Sequence, residues 1–231
     1  MPSLDRLDNV FILDLGDGEN RFDRSTISSL LALVDQVEAA PAPRALVTVA
    51  EGKFWSNGFD QAWMSAHPDE VDALLAEFRG LVARLITLSA PAVAALQGHA
   101  FAAGAVLALA HDFRLIRGDR GYFCLPEIDL GMAISPASIA LVQVKVPAAT
   151  AEDLLLAGRR YGGADAVAAG IARATAPEGE LRAAAIELAA SLAGKDPATL
   201  ATMKRRMFSG VTALLADEGA PGLSPAPPTR S

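Results

Sequence analysis

The chain is expected to adopt an α/β fold with stacked parallel strands, on three observations. Short apolar runs rich in β-branched residues alternate with longer segments of helical periodicity between Asn9 and Ile116. Past Pro136 the pattern changes and helical segments dominate. Hydrophobic residues make up 52% of the 231, enough to fill one large core.

The elements follow in order. Asn9–Leu15 is β-rich, and Gly16-Asp17-Gly18-Glu19-Asn20 ends it as a turn. Ser25 is the expected N-cap of a helix over Thr26–Ala39, with Ile27, Leu30, Leu31, Val34 and Val37 on one stripe and Pro41 and Pro43 stopping it. Ala45–Ala50 reads as a buried strand. Asp69 to Leu88 reads as a helix, because Val71, Leu74, Leu75, Phe78, Val82, Leu85 and Ile86 recur at helical spacing. Pro91–Leu96 is a strand, Ala102 to His111 a helix, and Phe113–Ile116 another strand. Ala148–Ala157, Gly163–Ala169, Glu178–Ala193 and Pro197–Phe208 look helical, with only the short Ile171–Thr175 between them. The proline-rich segment 221–231 is expected to be a disordered tail.

Charge narrows the function classes. The net charge is −7 and no long Lys/Arg run occurs, so no nucleic-acid partner is expected. Lys204-Arg205-Arg206, the one locally basic stretch, reads as a solvated helix end. The single cysteine, Cys124, permits no internal disulfide. The N-terminus lacks the basic-then-apolar pattern of a signal peptide, and the longest apolar stretch, Ala100–Ala110, falls short of the ~20 residues that span a bilayer. A cytoplasmic protein without membrane contact is the expectation.

Three segments can carry chemistry. In Ser56-Asn57-Gly58-Phe59 a glycine permits positive φ or close approach to a ligand, so the N–H of Phe59 is a candidate oxyanion donor; an ordinary turn is the alternative. In Gly98-His99-Ala100-Phe101-Ala102-Ala103-Gly104 small residues open a helix whose first N–H groups lack internal partners. Tight packing against a neighbour also wants small residues there. Two convergent donors are what a developing oxyanion needs. Then Glu127 lies among Tyr122, Phe123, Cys124, Leu125, Pro126, Ile128 and Leu130. An acid in such surroundings has a raised pKa, as a general base requires, unless an arginine pairs with it or it caps a turn. Asp129 would share its face in an extended segment, and could assist Glu127 or hold a loop.

Other chemistries find no support. There is no Gly-x-Ser-x-Gly, no Walker A loop and no complete dinucleotide fingerprint. His67, His99 and His111 lack metal-ligand spacing, so no metal is expected. His99 reads as a hydrogen-bonded structural residue near the site, and His111-Asp112 as the close of a helix. Trp63, Phe78 and Leu85 fit an acyl tunnel or a core equally well.

The segments Asn20-Arg21-Phe22, Gly52–Asp60, Gly98–Asp112 and Pro126–Gly131, in this order, resemble those of the enoyl-CoA hydratase/isomerase (crotonase) superfamily over roughly residues 5 to 210. Lys53-Phe54-Trp55-Ser56-Asn57-Gly58-Phe59-Asp60 and Gly98-His99-Ala100 are most like the short Δ3,Δ2-enoyl-CoA isomerases. The resemblance implies a spiral of ββα turns over 1–170 carrying an acyl-CoA site, a helical region over 171–220, and assembly as homotrimers or pairs of trimers. It implies a thioester carbonyl held by the N–H groups of Phe59 and Ala103, with Glu127 as the acid–base residue and no cofactor beyond the coenzyme A of the substrate. The substrate-binding set it implies is Arg21, Phe22, Lys53, Ser56, Asn57, Gly58, Gly104, Val106 and Asp129, with Lys53 near a phosphate. Where the family's hydratases carry a first glutamate, this chain has Val106, so double-bond isomerisation with one carboxylate is expected rather than hydration.

Overall fold

The structure, a computed structural model, describes residues 1–217 and 224–225. Its frame is a six-stranded sheet in the order β1-β2-β3-β5-β7-β10. An antiparallel hairpin, β1 (Ser3–Leu7) and β2 (Val10–Asp14), starts it. Strands β3 (Ala45–Val49), β5 (Ala92–Leu96), β7 (Phe113–Arg117) and β10 (Ala174–Ala176) then add in parallel. Between them β4 (Phe54–Ser56), β6 (His99–Phe101) and β8 (Phe123–Cys124) form a second, three-stranded parallel sheet. After the β1-β2 hairpin and its helix, three successive turns, β3-β4, β5-β6 and β7-β8, each give one strand to each sheet before the chain returns through helix, which is a spiral of ββα units. The antiparallel β1 and the three short strands of the second sheet extend the expected strand set.

Helices α1 (Arg24–Ala39), α2 (Gln61–Ala66), α3 (Val71–Thr87) and α4 (Ala103–Ala110) follow the first turns. The N-cap of α1 is Asp23, not Ser25: its carboxylate accepts the N–H of Thr26 at 2.7 Å, and Ser25 donates its hydroxyl to the same carboxylate. A carboxylate at the positive end of a helix is stabilised by charge as well as by the hydrogen bond. Helix α3 buries Leu74, Leu75, Phe78, Leu81, Val82, Leu85 and Ile86. Every residue of α4 is buried, so this short helix is the centre of the molecule and the sheets, α3 and the later helices pack round it.

The later elements are α5 (Pro136–Lys145), α6 (Ala148–Leu156), α7 (Gly163–Ala168), α8 (Glu178–Leu192), α9 (Pro197–Met207) and α10 (Ser209–Leu215). Helix α8 covers the outer face of the large sheet with Leu181, Ala185, Ala189 and Ala193 against Val47, Val93, Ala95 and Leu115. Burial on both faces explains why β5 is apolar throughout and β3 is apolar but for Thr48, whose hydroxyl is paired with His111. With β10 in the large sheet and α8 upon it, residues past 170 complete the same sheet. Short strands β9 (Met132–Ala133) and β11 (Ser224–Pro225) pair antiparallel. Apart from that pair, the predicted 221–231 tail lies outside the described residues.

The Lys204-Arg205-Arg206 expectation needs correction. Arg205 and Arg206 are exposed, but Lys204 is only 3% exposed. Its ammonium donates to Asp112 Oδ2 at 2.6 Å and to the carbonyl of Ala90 at 3.0 Å. Asp112 also accepts the N–H of Ala92 at 2.8 Å, so one buried ion pair ties α9 to the start of β5 and the end of α4. The three-residue basic run spans nearly one helical turn, and the turn points one of the three inward. His111, beside it, caps α4 in full burial, set between Thr48 Oγ1 at 2.7 Å and the carbonyl of Leu107 at 3.0 Å. Desolvation pulls its pKa down to about 3.

Candidate active site

Two turns meet at the N-terminus of α4. Strand β4 ends at Ser56, and the chain then passes through Asn57 and Gly58 to Phe59. Gly58 has φ +80°, a conformation that suits glycine, and a Cβ added to it would lie 3.2 Å from the Ala103 nitrogen. Gly104 allows the approach from the other side: a Cβ there would sit 2.6 Å from the Ser56 carbonyl oxygen. Small residues in both segments therefore serve close backbone contact, and that contact sets Gly58, the neighbour of Phe59, against the Ala103 nitrogen. Among the described residues neither the Phe59 nor the Ala103 N–H has a protein acceptor.

Side chains hold the first turn. The Asn20 amide donates to the carbonyls of Gly16, Phe54 and Trp55 at 3.1–3.2 Å. The Ser56 hydroxyl donates to the Asn20 carbonyl at 2.8 Å and accepts the N–H of Gly58 at 3.2 Å. Phe22 N–H donates to Gly58 O at 2.8 Å, and its fully buried ring packs on Phe78, centroids 5.6 Å apart.

The second turn is held by hydrogen bonds against backbone strain. Ala102 has φ +51° and ψ −126°, a region that residues with a Cβ rarely occupy. Its N–H donates to the Cys124 carbonyl at 3.1 Å, and its own carbonyl accepts the N–H of Val106 at 3.1 Å. Together these bonds impose the conformation. Ala102→Gly is expected to raise stability by about 1 kcal/mol, because relief of about 1–3 kcal/mol of strain outweighs the entropic cost of glycine, about 0.5–1 kcal/mol. Urea unfolding checks this, and a lower midpoint would show that the backbone there is not strained.

These turns open on a cavity of about 450 Å³. Phe59, Ala103, Val106 and Glu127 all line it, as do Arg21 and Asn57 of the expected substrate-binding set. Glu127 comes from a 3₁₀ turn, Pro126–Ile128, and is 6% exposed. Its Oε2 has no hydrogen-bond partner, and burial pushes its pKa up to about 7. Among the described residues no arginine pairs with it, which argues against the ion-pair alternative.

Asp129 does not share the face of Glu127. The 3₁₀ turn, closed by the Asp129 N–H to Pro126 O bond at 3.0 Å, rotates the chain by about 120° per residue, so residues two apart diverge. Asp129 is exposed, packs near Gly158, and lies outside the cavity lining. Phe22, Ser56, Gly58 and Gly104 stand behind the wall rather than in it. Lys53 is exposed with its ammonium 5.1 Å from the Phe54 ring, also outside the lining. His99 accepts the N–H of Tyr122 at 3.2 Å and stacks on that ring, a structural role. Of the three aromatic and aliphatic candidates on α2 and α3, Phe78 lines the cavity; Trp63 stacks on His67, and Leu85 is in the core. Arg79, Gln61, Ser135 and Ser138 line the cavity without having been singled out. For Arg79 a signal existed, since it lies one residue past Phe78 and four past Leu75 on an amphipathic helix. Among the described residues no group of three His, Cys, Asp or Glu side chains is placed to hold a metal ion, and no helix is long and apolar enough to cross a membrane.

Comparison with known proteins agrees with this architecture. The family model for enoyl-CoA hydratase/isomerase matches residues 8–219. The chain is 38% identical over 206 residues to enoyl-CoA delta isomerase 2, peroxisomal, of Arabidopsis thaliana, covering 84% of this chain and 86% of that one. It is 32% identical over 176 residues to carnitinyl-CoA dehydratase of Proteus mirabilis, covering 76% and 66%. Its fold superposes with a TM-score of 0.87 on a crystal structure of an enoyl-CoA hydratase/isomerase family protein from Pseudomonas syringae, 25% identical over 93% of each chain. An apo enoyl-CoA isomerase structure from Mycobacterium tuberculosis gives the same TM-score at 24% identity, over 94% of this chain and 95% of that one. The spiral of ββα turns, the match along nearly its whole length and the identity to curated relatives make this chain a member of the enoyl-CoA hydratase/isomerase family.

Proposed function

We propose that the protein is a Δ3,Δ2-enoyl-CoA isomerase working with one carboxylate. One observation carries the reading: a buried carboxylate oxygen and two backbone N–H groups, all without a protein partner among the described residues, belong to residues lining one cavity. The thioester oxygen of a 3-enoyl-CoA accepts from Phe59 and Ala103 N–H. Glu127 removes a proton from C2, and the C–H electron pair moves into a dienolate whose negative charge collects on the thioester oxygen. The same carboxyl then delivers the proton to C4, the double bond settles between C2 and C3, and Glu127 returns to its starting state. Each backbone donor is worth about 2.7–4 kcal/mol of barrier in sites of this kind. The names of the Arabidopsis relatives support the same reaction.

The wall also favours isomerisation over hydration. Val106 faces the cavity, Glu127 is the only acid in the lining among the described residues, and Asp129 lies outside it. Adding water to an enoyl thioester calls for a second group to hold or activate that water, and an apolar wall keeps the dienolate dry. Purified protein given 3-trans-hexenoyl-CoA is expected to form the 2-trans product, and given crotonyl-CoA to hydrate it at below about 1% of that rate, a margin within the 100- to 10,000-fold that one missing acid–base group is worth. Crotonyl-CoA hydration at a comparable rate would overturn the single-acid reading.

A further inference from the structure

The mechanism leaves two cations of the cavity lining unused, Arg21 and Arg79. Helix α3 turns Leu75, Phe78, Arg79 and Val82 towards the cavity. The three apolar residues are buried, as their spacing of three and four dictates. Arg79 shares their face, is half-buried, and among the described residues has no ion-pair or hydrogen-bond partner. Its neighbours differ. Arg24 is held by Glu70 and Glu77, Arg84 by Asp35 and Glu38, and Arg21, the other cation of the lining, by Glu19. Among the described residues Arg79 is thus the one cation of that lining without a counter-charge, in a chain whose net charge is −7.

A guanidinium drawn out of water without a partner is unfavourable unless something anionic joins it. Its position indicates what that is. Phe78, the preceding residue, packs on Phe59 with centroids 4.9 Å apart and on Phe22 at 5.6 Å, and Phe22 follows Arg21. Arg79 therefore lies on the same wall as the candidate oxyanion donor and Arg21, within the cavity that would hold the thioester.

We propose that Arg79 is an anion-binding, specificity-determining residue of this cavity. Its planar fork takes two oxygens of a phosphate or carboxylate carried by the bound thioester. This rests on the acyl-CoA reading of the site. The anion has two possible sources, the phosphates of coenzyme A or a carboxylate at the far end of the acyl chain.

Direct binding tests it without requiring turnover. Wild type and Arg79→Gln, each with its melting temperature measured, are titrated with butyryl-CoA, butyryl-pantetheine and glutaryl-CoA. If the source is a coenzyme A phosphate, Arg79→Gln weakens butyryl-CoA about tenfold or more and leaves butyryl-pantetheine unchanged, within what a charge-assisted bidentate pair supplies. If the source is an acyl carboxylate, glutaryl-CoA alone loses affinity. In either case Arg79→Lys recovers part of the loss and kcat for 3-hexenoyl-CoA stays within about twofold; its KM rises with Arg79→Gln if the source is a coenzyme A phosphate, the mark of uniform binding, and is unchanged if the source is an acyl carboxylate. Equal affinity of wild type and Arg79→Gln for all three ligands would overturn the role of Arg79 and leave the isomerase reading standing. Failure of the wild type to bind any of them would overturn the acyl-CoA reading itself, and Arg79's role with it.

Discussion

Glu127→Gln is expected to lower kcat/KM for 3-enoyl-CoA isomerisation by about 100- to 10,000-fold, the range that a positioned general acid–base group supplies. Glutamine keeps the shape of the side chain and lines the cavity in the same way, but cannot accept a proton from C2. The loss should fall on kcat, with KM within a few-fold of wild type, because the backbone donors still bind the ground state. The effect of pH follows from burial. With a pKa near 7, Glu127 is an ionised base only above neutrality, so wild-type kcat/KM should rise with pH and level off above about 8. The stability change has the opposite sign. The ordinary carboxylate value is 4.5, so between 4.5 and about 7 the folded chain binds a proton that the unfolded chain has released. Stability therefore falls as pH rises across that interval and is constant above it. Glu127→Gln removes this dependence, and at pH 8 the variant should be no less stable than wild type. Stopped assays across pH, with thermal melts of both proteins, decide the matter. Wild-type turnover by Glu127→Gln would mean that another group moves the proton.

The second large effect concerns stability. Lys204→Ala is expected to destabilise the protein by at most about 3–5 kcal/mol, the range for breaking one half of a fully buried ion pair, since Lys204 is buried and Asp112 only partly so. Asp112 would keep its bond from the Ala92 N–H but lose the ammonium that neutralises it, and the Ala90 carbonyl would lose its donor. Both groups lie at the junction of α4, β5 and α9, so the damage reaches the helix that presents Ala103. Arg205→Ala and Arg206→Ala, on exposed neighbours, should change stability by less than about 0.5 kcal/mol. Lys204→Met, which fills similar volume, should fail to rescue the loss while Asp112 remains, whereas Lys204→Met with Asp112→Asn should recover part of it. Chemical denaturation of the set provides the test. Similar losses for Lys204→Ala and Arg205→Ala would show that the buried pair carries no special weight.

Much of the architecture could be read along the chain. The stripe of Ile27, Leu30, Val34 and Val37, the heptad-like run of α3, and the apolar β3 and β5 are local patterns, and each became the expected element within a residue or two. The short strands were a different matter. Strands β4, β6 and β8 hold two or three residues each, too few to show an alternation, and they exist only because successive turns of the spiral align them. Strand β1 is polar and mostly exposed at the sheet edge, so it carries no hydrophobic signal. In the site, Gly58, Gly104 and the acid in apolar company were visible as residue types. Their meeting was not, since it depends on contacts across more than forty positions of sequence.

The order of motifs, the single acid where the family's hydratases carry two, and the alternation of strands and helices lie in the sequence itself. Caps, periodicity and residue type act through near neighbours along the chain. Tertiary structure alone decided that Lys204 points inward, that Asp129 turns away from Glu127, and that Arg79 faces the cavity unpaired. Burial and charge compensation are properties of what packs against a residue, and those neighbours come from distant segments that only the folded chain brings together.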